Sequence, residues 1–263
     1  MTDFTHEQVA QRAYFDQKYA DVELEVDFKH YFKPRFGPWC PYRHVYDLVS
    51  SIANKSGGRL LEVGCGSGAN SLRYARLGYQ VDGIDISPKA IEAAQELARR
   101  TELDKATRFS AQPAESLDFA DGEFEVVVGV NILHHTDTTR VIPEVSRVLR
   151  KGGMAIFKEP LATPIRDRLR RSPLVTWLVP IGVKNLRQHC TYSDSEGEHM
   201  LDKTDFRIFE DEFESLEIRR WRVIAKLAVF GGRQQLERLD WWAFRMCPFL
   251  RRFGDQAVLI AKK

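Results

Sequence analysis

Glu62, Gly64, Gly66 and Gly68 are the residues whose types and spacing most clearly imply chemistry. They lie in Leu60-Leu61-Glu62-Val63-Gly64-Cys65-Gly66-Ser67-Gly68-Ala69-Asn70-Ser71, an apolar run that breaks into three alternating glycines and then opens a helix. Glycines let a ligand approach the backbone closely, and the amides that start the helix after Gly68 can receive a carboxylate or phosphate. Glu62, two positions before the first glycine, adds an acidic group that suits a ligand carrying positive charge as well. Cys65 sits inside the turn, and Asp85 with Ile86 follows the next apolar run.

Two nucleotide cofactors meet these terms. S-adenosylmethionine brings an ammonium group and a sulfonium centre. NAD is served by Gly64, Gly66 and Ala69 as G-x-G-x-x-G/A, with Asp85 about 20 residues further on to take a ribose hydroxyl. Both ligands contain ribose, so Asp85 does not separate them. Glu62 and Gly68 favour the methyl donor, because a dinucleotide turn is normally preceded by apolar residues.

The elements that must position these groups can be read from the alternation of apolar runs and amphipathic stretches, which predicts βαβ units and a mostly parallel sheet. The expected strands are Arg59 to Val63, Gln80 to Ile84, Thr107 to Ser110, Glu125 to Val130, Met154 to Lys158, Leu216 to Ile224 and Gln256 to Ala261. Expected helices run from Asn70 to Leu77, from Pro88 with Ser87 as its cap, and from Arg140 to Leu149, with Gly152 and Gly153 ending the last. The predicted fold is α/β: a doubly wound seven-stranded sheet, Rossmann-like, with added helical lid segments. Its predicted parts are an N-terminal helical cap over 1–55, a cofactor-binding core over 56–160, a lid insertion over 161–205, and a C-terminal completion of the sheet over 206–263 with its own insertion at 225–253. Specificity is expected in the added pieces, since open α/β sheets bind ligands beyond the carboxyl ends of their strands.

Composition narrows the setting. The 263 residues suffice for a substantial core, and a net charge of +2 is too mild for bulk electrostatic binding of nucleic acid. Cys40, Cys65, Cys190 and Cys247 lack metal-ligand spacing, so no zinc site or disulfide framework is expected, and adjacent His134 and His135 do not readily share an ion. Met1 to Lys18 lacks the apolar core of a secretory signal. The apolar stretch Pro173 to Val183 is short of the ~20 residues that span a bilayer. A cytoplasmic enzyme is the expectation. Membrane association enters through 161–185 and 238–253, where Arg166, Arg168, Arg170, Arg171, Arg238, Arg245, Arg251 and Arg252 accompany Trp241, Trp242, Phe244, Met246, Phe249 and Leu250.

Glu62 to Gly68, Asp85, Ala114 to Phe119, Asn131 to His135 and Gly152 to Glu159 stand in an order and spacing that resemble the class I S-adenosylmethionine-dependent methyltransferases, over about residues 57 to 160. The likeness is greatest to the group acting on small molecules, quinone precursors and lipids. The resemblance implies that Glu62, Gly64, Cys65, Gly66 and Gly68 hold the methionine portion, that Asp85 and Ile86 hold the ribose, and that Gln112, Ala114, Glu115 and Asn131 complete the cofactor site. Pro113 departs from the family pattern by replacing the adenine-binding acid, leaving Gln112 and the Ala114 amide as candidates for adenine. Asn131 is followed by Ile132 and Leu133 rather than two prolines and an aromatic, which argues against methylation of nucleic-acid bases.

Methyl transfer to a hydroxyl benefits from a base, and His134, His135 and the lid residue His199 are the candidates. Their alternative roles are packing, capping or solvation. Glu159, Tyr14 and Tyr19 are candidate acceptor contacts; Glu159 could equally satisfy neighbouring amides. The expected activity is methyl transfer to a small or amphipathic acceptor, at oxygen. The rivals are an NAD-dependent oxidoreductase and a catalytically silent scaffold of the same fold.

Overall fold

The computed structural model describes residues 4–20, 24, 26, 28, 37, 39–53, 58–162, 199–223 and 233–263. Among them, one sheet contains β1 (Arg59–Val63), β2 (Gln80–Asp85), β3 (Thr107–Ala111), β4 (Phe124–Val130), β5 (Leu149–Pro160), β6 (Ser215–Trp221) and β7 (Gln256–Lys262). Their order is β3-β2-β1-β4-β5-β7-β6, and all pairings are parallel except those of β7 with β5 and β6. This is the doubly wound, mostly parallel sheet expected from the sequence.

Alternate residues of the strands feed two cores. Leu61, Val63 and Val127 face one side with α5 (Thr138–Val148) and α6 (Lys203–Glu212), the latter contributing Phe206 and Phe209. Leu60, Val81, Val126 and Val128 face the other side with Val45 and Val49 of α2 (Pro41–Ile52) and Tyr74 of α3 (Ala69–Arg76). Leu60, Leu61 and Val127 are fully buried, and burial of each such side chain contributes roughly 1.5–3 kcal/mol.

Ser87 caps α4 (Pro88–Arg100) as expected, its hydroxyl accepting from the Ala90 amide at 3.1 Å, and Ala90, Ile91, Ala94 and Leu97 are its buried stripe. Ahead of the sheet, α1 (His6–Tyr19) starts at a Thr5–Gln8 capping box. Its Gln8 Nε2 donates to Glu115 at 3.0 Å, which fastens the helix across the ends of the strands.

Two boundaries differ from expectation. The fifth strand begins at Leu149, which is extended, buried and paired with Phe124 ahead of a register shift. The helix therefore stops at Val148, and Gly152, at φ 73°, lies within the irregular start of β5 rather than ending the helix. The sixth strand ends at Trp221 because Arg222 adopts a left-handed φ of 64° and turns the chain away.

Between β6 and β7 lie α7 (Arg233–Met246) and a 3-10 segment, Pro248–Phe253. The basic and apolar stretch expected over 166–183, together with Cys190 and Glu198, lies outside the described residues. Among the described residues no helix is long and apolar enough to cross a membrane.

Candidate active site

The strand order reverses between β1 and β4, and the crevice beyond their carboxyl ends is where such sheets bind ligands. The glycine turn stands at that point. Gly64 and Gly66 have φ of 71° and 53°, a region that side chains rarely tolerate. A Cβ on Gly64 would lie 2.8 Å from the Ile132 side chain, and one on Gly66 would lie 2.3 Å from the Tyr19 hydroxyl oxygen. The turn is bare because its neighbours leave no room for a side chain.

A cavity of about 230 Å3 runs from this turn across the strand ends, with Tyr19, Gly64, Asp85, Ile86, Gln112 and Ala114 on its wall. It fits an adenosine-bearing ligand. Asp85 accepts from the Gly66 amide at 2.9 Å and the Ser87 amide at 3.0 Å, which fixes a carboxylate at the end of β2 with lone pairs to spare for hydroxyl donors. Burial pushes the Asp85 carboxyl up, against those amide bonds. Ile84, Ile86, Val130 and Ile132 give an apolar surface for a base. The Gln112 side chain is engaged within its own turn, donating to Ser110 at 2.8 Å and accepting from the Asp118 amide at 2.9 Å. Glu115 bridges Gln8 and the Asp137 amide.

Glu62 lies beneath the turn rather than on the cavity wall. It is fully buried, takes the Ser71 hydroxyl and an Asn70 bond, and burial raises its carboxyl to about 7. Cys65 is also buried, with its thiol pushed well up by the same cause. Tyr19, from the end of α1, covers Gly66, and burial raises its phenol.

A second cavity of about 300 Å3 adjoins the first, and the two share Phe15, Lys18, Asn131 and His135. Tyr14, Tyr42, His134, Lys158 and Arg222 extend its wall. Asn131 is held at a left-handed φ of 56°; its amide donates to the Tyr42 hydroxyl at 2.9 Å, and its oxygen accepts from Lys158 Nζ.

The two adjacent histidines are treated very differently. His134 is buried with Nδ1 at 2.7 Å from Glu159, whereas His135 stands edge-on to Phe15 at the junction of the cavities. Burial, then the neighbouring His134 and Lys18, lower the His135 imidazole to about 3. A ring that weakly basic is neutral at physiological pH and a poor match to a general base working there, which weighs against His135 in that role.

Glu159 takes the second of the two roles open to it from the sequence, satisfying neighbouring amides. It is fully buried, and its oxygens take the Ile132 amide at 2.8 Å, the Leu133 amide at 3.0 Å and His134. It holds the loop.

His199 lines a third cavity, which shares Gln11, Glu115, His135 and Thr136 with the first. Its Nε2 lies 3.3 Å from Asp205, and that bond raises the imidazole, with burial opposing. Burial pushes Asp205 up, but His199, the Asp202 amide and the Thr138 hydroxyl outweigh it and hold the carboxyl below its usual range. His199 is thus held by Asp205 in a third cavity that meets the other two at His135.

Sequence reasoning passed over Lys18, Tyr42, Lys158 and Arg222. Only Lys158 gave a signal, as a cation inside the apolar run Ala155-Ile156-Phe157-Lys158 of a central strand.

Comparison with known proteins agrees with this geometry. Residues 61–157 match the family model described as "Methyltransferase domain". The 27-O-demethylrifamycin SV methyltransferase of Amycolatopsis mediterranei is 35% identical over 119 residues, 44% of this chain and 44% of that protein. The chain thus spans about half the length of several curated relatives, 44% to 49% for example. The phosphatidylethanolamine N-methyltransferase of Cereibacter sphaeroides is 32% identical over 155 residues, 53% of this chain and 76% of that one. In fold, the geranyl diphosphate C-methyltransferase from Streptomyces coelicolor superposes with a TM-score of 0.59 at 14% identity, covering 98% of each chain. On the glycine turn, the sheet order and these matches together, the chain belongs to the S-adenosylmethionine-dependent methyltransferase family.

Proposed function

We propose that this protein transfers a methyl group from S-adenosylmethionine to a small or amphipathic acceptor, at oxygen. The observation that carries the reading is the pair of adjoining cavities at the switch point, with Phe15, Lys18, Asn131 and His135 as their common wall. When bound, S-adenosylmethionine supplies a methyl carbon attached to a sulfonium sulfur, an electrophile already activated by its leaving group. The work left to the chain is alignment and exclusion of water. Gly64, Gly66 and Gly68 would receive the amino-acid end with Glu62 behind them, Asp85 the ribose, and Ile86 with Ala114 the base. Tyr14, Phe15 and Tyr42 would wall the acceptor.

Oxygen is supported by His134. Glu159 accepts from its Nδ1, which fixes the tautomer that leaves Nε2 as the proton-accepting nitrogen, and His134 lines the acceptor cavity. A hydroxyl nucleophile would lose its proton there. The activities of the rifamycin and phosphatidylethanolamine relatives are consistent with small and amphipathic acceptors respectively.

The test is a labelled-methyl turnover screen over phenols, sugars, quinone precursors and lipids. With an accepted phenol, His134→Phe lowers kcat by at least a hundredfold, while His135→Phe acts mainly on KM. Equal kcat losses in the two would remove His134 as the base. Calorimetric titration decides the cofactor: tight NAD binding with none of S-adenosylhomocysteine would refute the reading.

A peripheral membrane contact is part of the same proposal. Trp242, Met246 and Phe249 are 61%, 64% and 60% exposed, beside Arg245, Arg251 and Arg252, a mixture suited to an anionic lipid surface. Co-sedimentation with vesicles containing phosphatidylserine should fall severalfold for Trp242→Ser/Phe249→Ser. Unchanged co-sedimentation would confine the acceptor to the aqueous phase.

A further inference from the structure

We propose that the second cavity seats its acceptor by a compact anionic group, a carboxylate or a phosphate, held between Lys158 and Arg222. The inference rests on reading that cavity as the acceptor site. Two cations from different elements meet there. Lys158 projects from β5 and is only 3% exposed, and Arg222 follows the end of β6. Lys18, from α1, adds a third positive charge, against Glu237 as the single carboxylate on this wall among the described residues.

Buried cations are retained only when something compensates them. Lys158 donates to Asn131 and stands 4.8 Å from the centre of the Tyr42 ring, contacts that leave two of its three ammonium protons without an acceptor among the described residues. Arg222 Nε is buried and has no hydrogen-bond partner among the described residues. The arginine is also held at a left-handed φ of 64°, a conformation that is costly for an ordinary residue and persists where the surroundings require it.

The electrostatics agree. Burial, and then Arg222, depress the Lys158 amine to about 8, although Glu159, Cys40 and Asp255 pull the other way. A purely structural lysine holding Asn131 in place would need no second cation beside it. An anion between the two would relieve the repulsion and supply the missing acceptors, in bidentate form toward the guanidinium. Tyr14, Phe15 and Tyr42 on the same wall, and a volume of about 300 Å3, suit a flat acceptor of one or two rings.

The test is calorimetric titration of the full chain with benzoate, phenyl phosphate and benzamide, with and without saturating S-adenosylhomocysteine. At least one anionic probe should bind tenfold or more tightly than benzamide, which matches benzoate in shape without its charge. Preference for benzoate assigns a carboxylate, and preference for phenyl phosphate assigns a phosphate. Arg222→Gln and Lys158→Met should each weaken the anion at least tenfold while leaving benzamide unchanged, and Arg222→Gln should hold S-adenosylhomocysteine within twofold of wild type.

Benzamide binding as tightly as both anions would overturn the proposal. So would undiminished anion binding by Arg222→Gln, which is decisive alone if Lys158→Met does not fold. Loss of S-adenosylhomocysteine binding with the anion preference intact would instead count against the methyltransferase reading.

Discussion

Glu159→Ala should lower the stability of the chain by about 3–5 kcal/mol, a fall of roughly 10 °C in melting temperature. Glu159 is fully buried and accepts from two consecutive amides, Ile132 and Leu133, and from His134. Alanine leaves all three donors buried without acceptors, each at about 1–3 kcal/mol before water or relaxation recovers part of it. The damage spreads, because this loop presents both Asn131 and His135 to the shared wall of the cavities.

Glu159→Gln separates structure from chemistry. One amide oxygen can still take the backbone donors, so the melting temperature should fall by less than half as much. The amide nitrogen, however, faces His134 Nδ1 and donates to it, which moves the imidazole proton to Nε2 and removes the base. Turnover of a phenolic acceptor should therefore drop at least a hundredfold in a protein that still binds S-adenosylhomocysteine. Thermal melts, cofactor titration and kcat on one preparation check this. A Glu159→Gln enzyme with near-native kcat would leave Glu159 a loop brace only.

That role of Glu159 shows where sequence reading stops. The fold was legible because its signals are local. The apolar runs of β1, β2 and β4, the Ser87 cap before Pro88 and the glycines after Val63 each follow from a few neighbouring residues. Asp85 was legible for the same reason, since the end of a strand after a glycine turn is a fixed place in this topology. Glu159 read either as an acceptor contact or as a brace for amides, and Glu62 as a cofactor contact, because a carboxylate at a strand end is ambiguous; the third dimension shows that hydrogen-bond donors surround both. Which of His134 and His135 is held by a carboxylate depends on a partner 25 positions further along the chain. The wall of the second cavity was least legible. Tyr42, Lys158 and Arg222 come from α2, β5 and the end of β6, and they meet only because β7 runs antiparallel between those strands. The edges of β5 and β6 shifted for comparable reasons, a long-range pairing of Leu149 and the left-handed turn at Arg222.

Glu62→Gln should move stability and cofactor affinity in opposite directions. Burial raises the Glu62 carboxyl from 4.5 to about 7, with the Ser71 and Asn70 bonds and Arg73 only partly offsetting it. A raised carboxyl is one that the fold prefers protonated. Its contribution to stability is complete below the unfolded value near 4.5, declines as pH rises toward 7, and is gone above that. The loss amounts to about 3 kcal/mol in order of magnitude. Glutamine keeps the shape and the acceptor for Ser71 and never ionises, so the ligand-free variant should be the more stable protein at pH 8 by about 3 kcal/mol, the Ser71 bond being already counted in the raised value. Below pH 4.5 the two should converge.

The assigned role predicts the reverse for binding. A cationic ligand end near the turn favours the ionised carboxylate, so wild-type affinity for S-adenosylhomocysteine should rise as pH increases from 5 to 8, with proton release on binding, while the variant binds at least tenfold more weakly at pH 8 and without that release. Urea unfolding across this range, paired with titrations in buffers of different ionisation enthalpy, measures both halves. A variant that gains stability yet keeps full affinity would mean that the buried acid braces Ser71 alone and that the cationic end of the cofactor is received elsewhere on the turn.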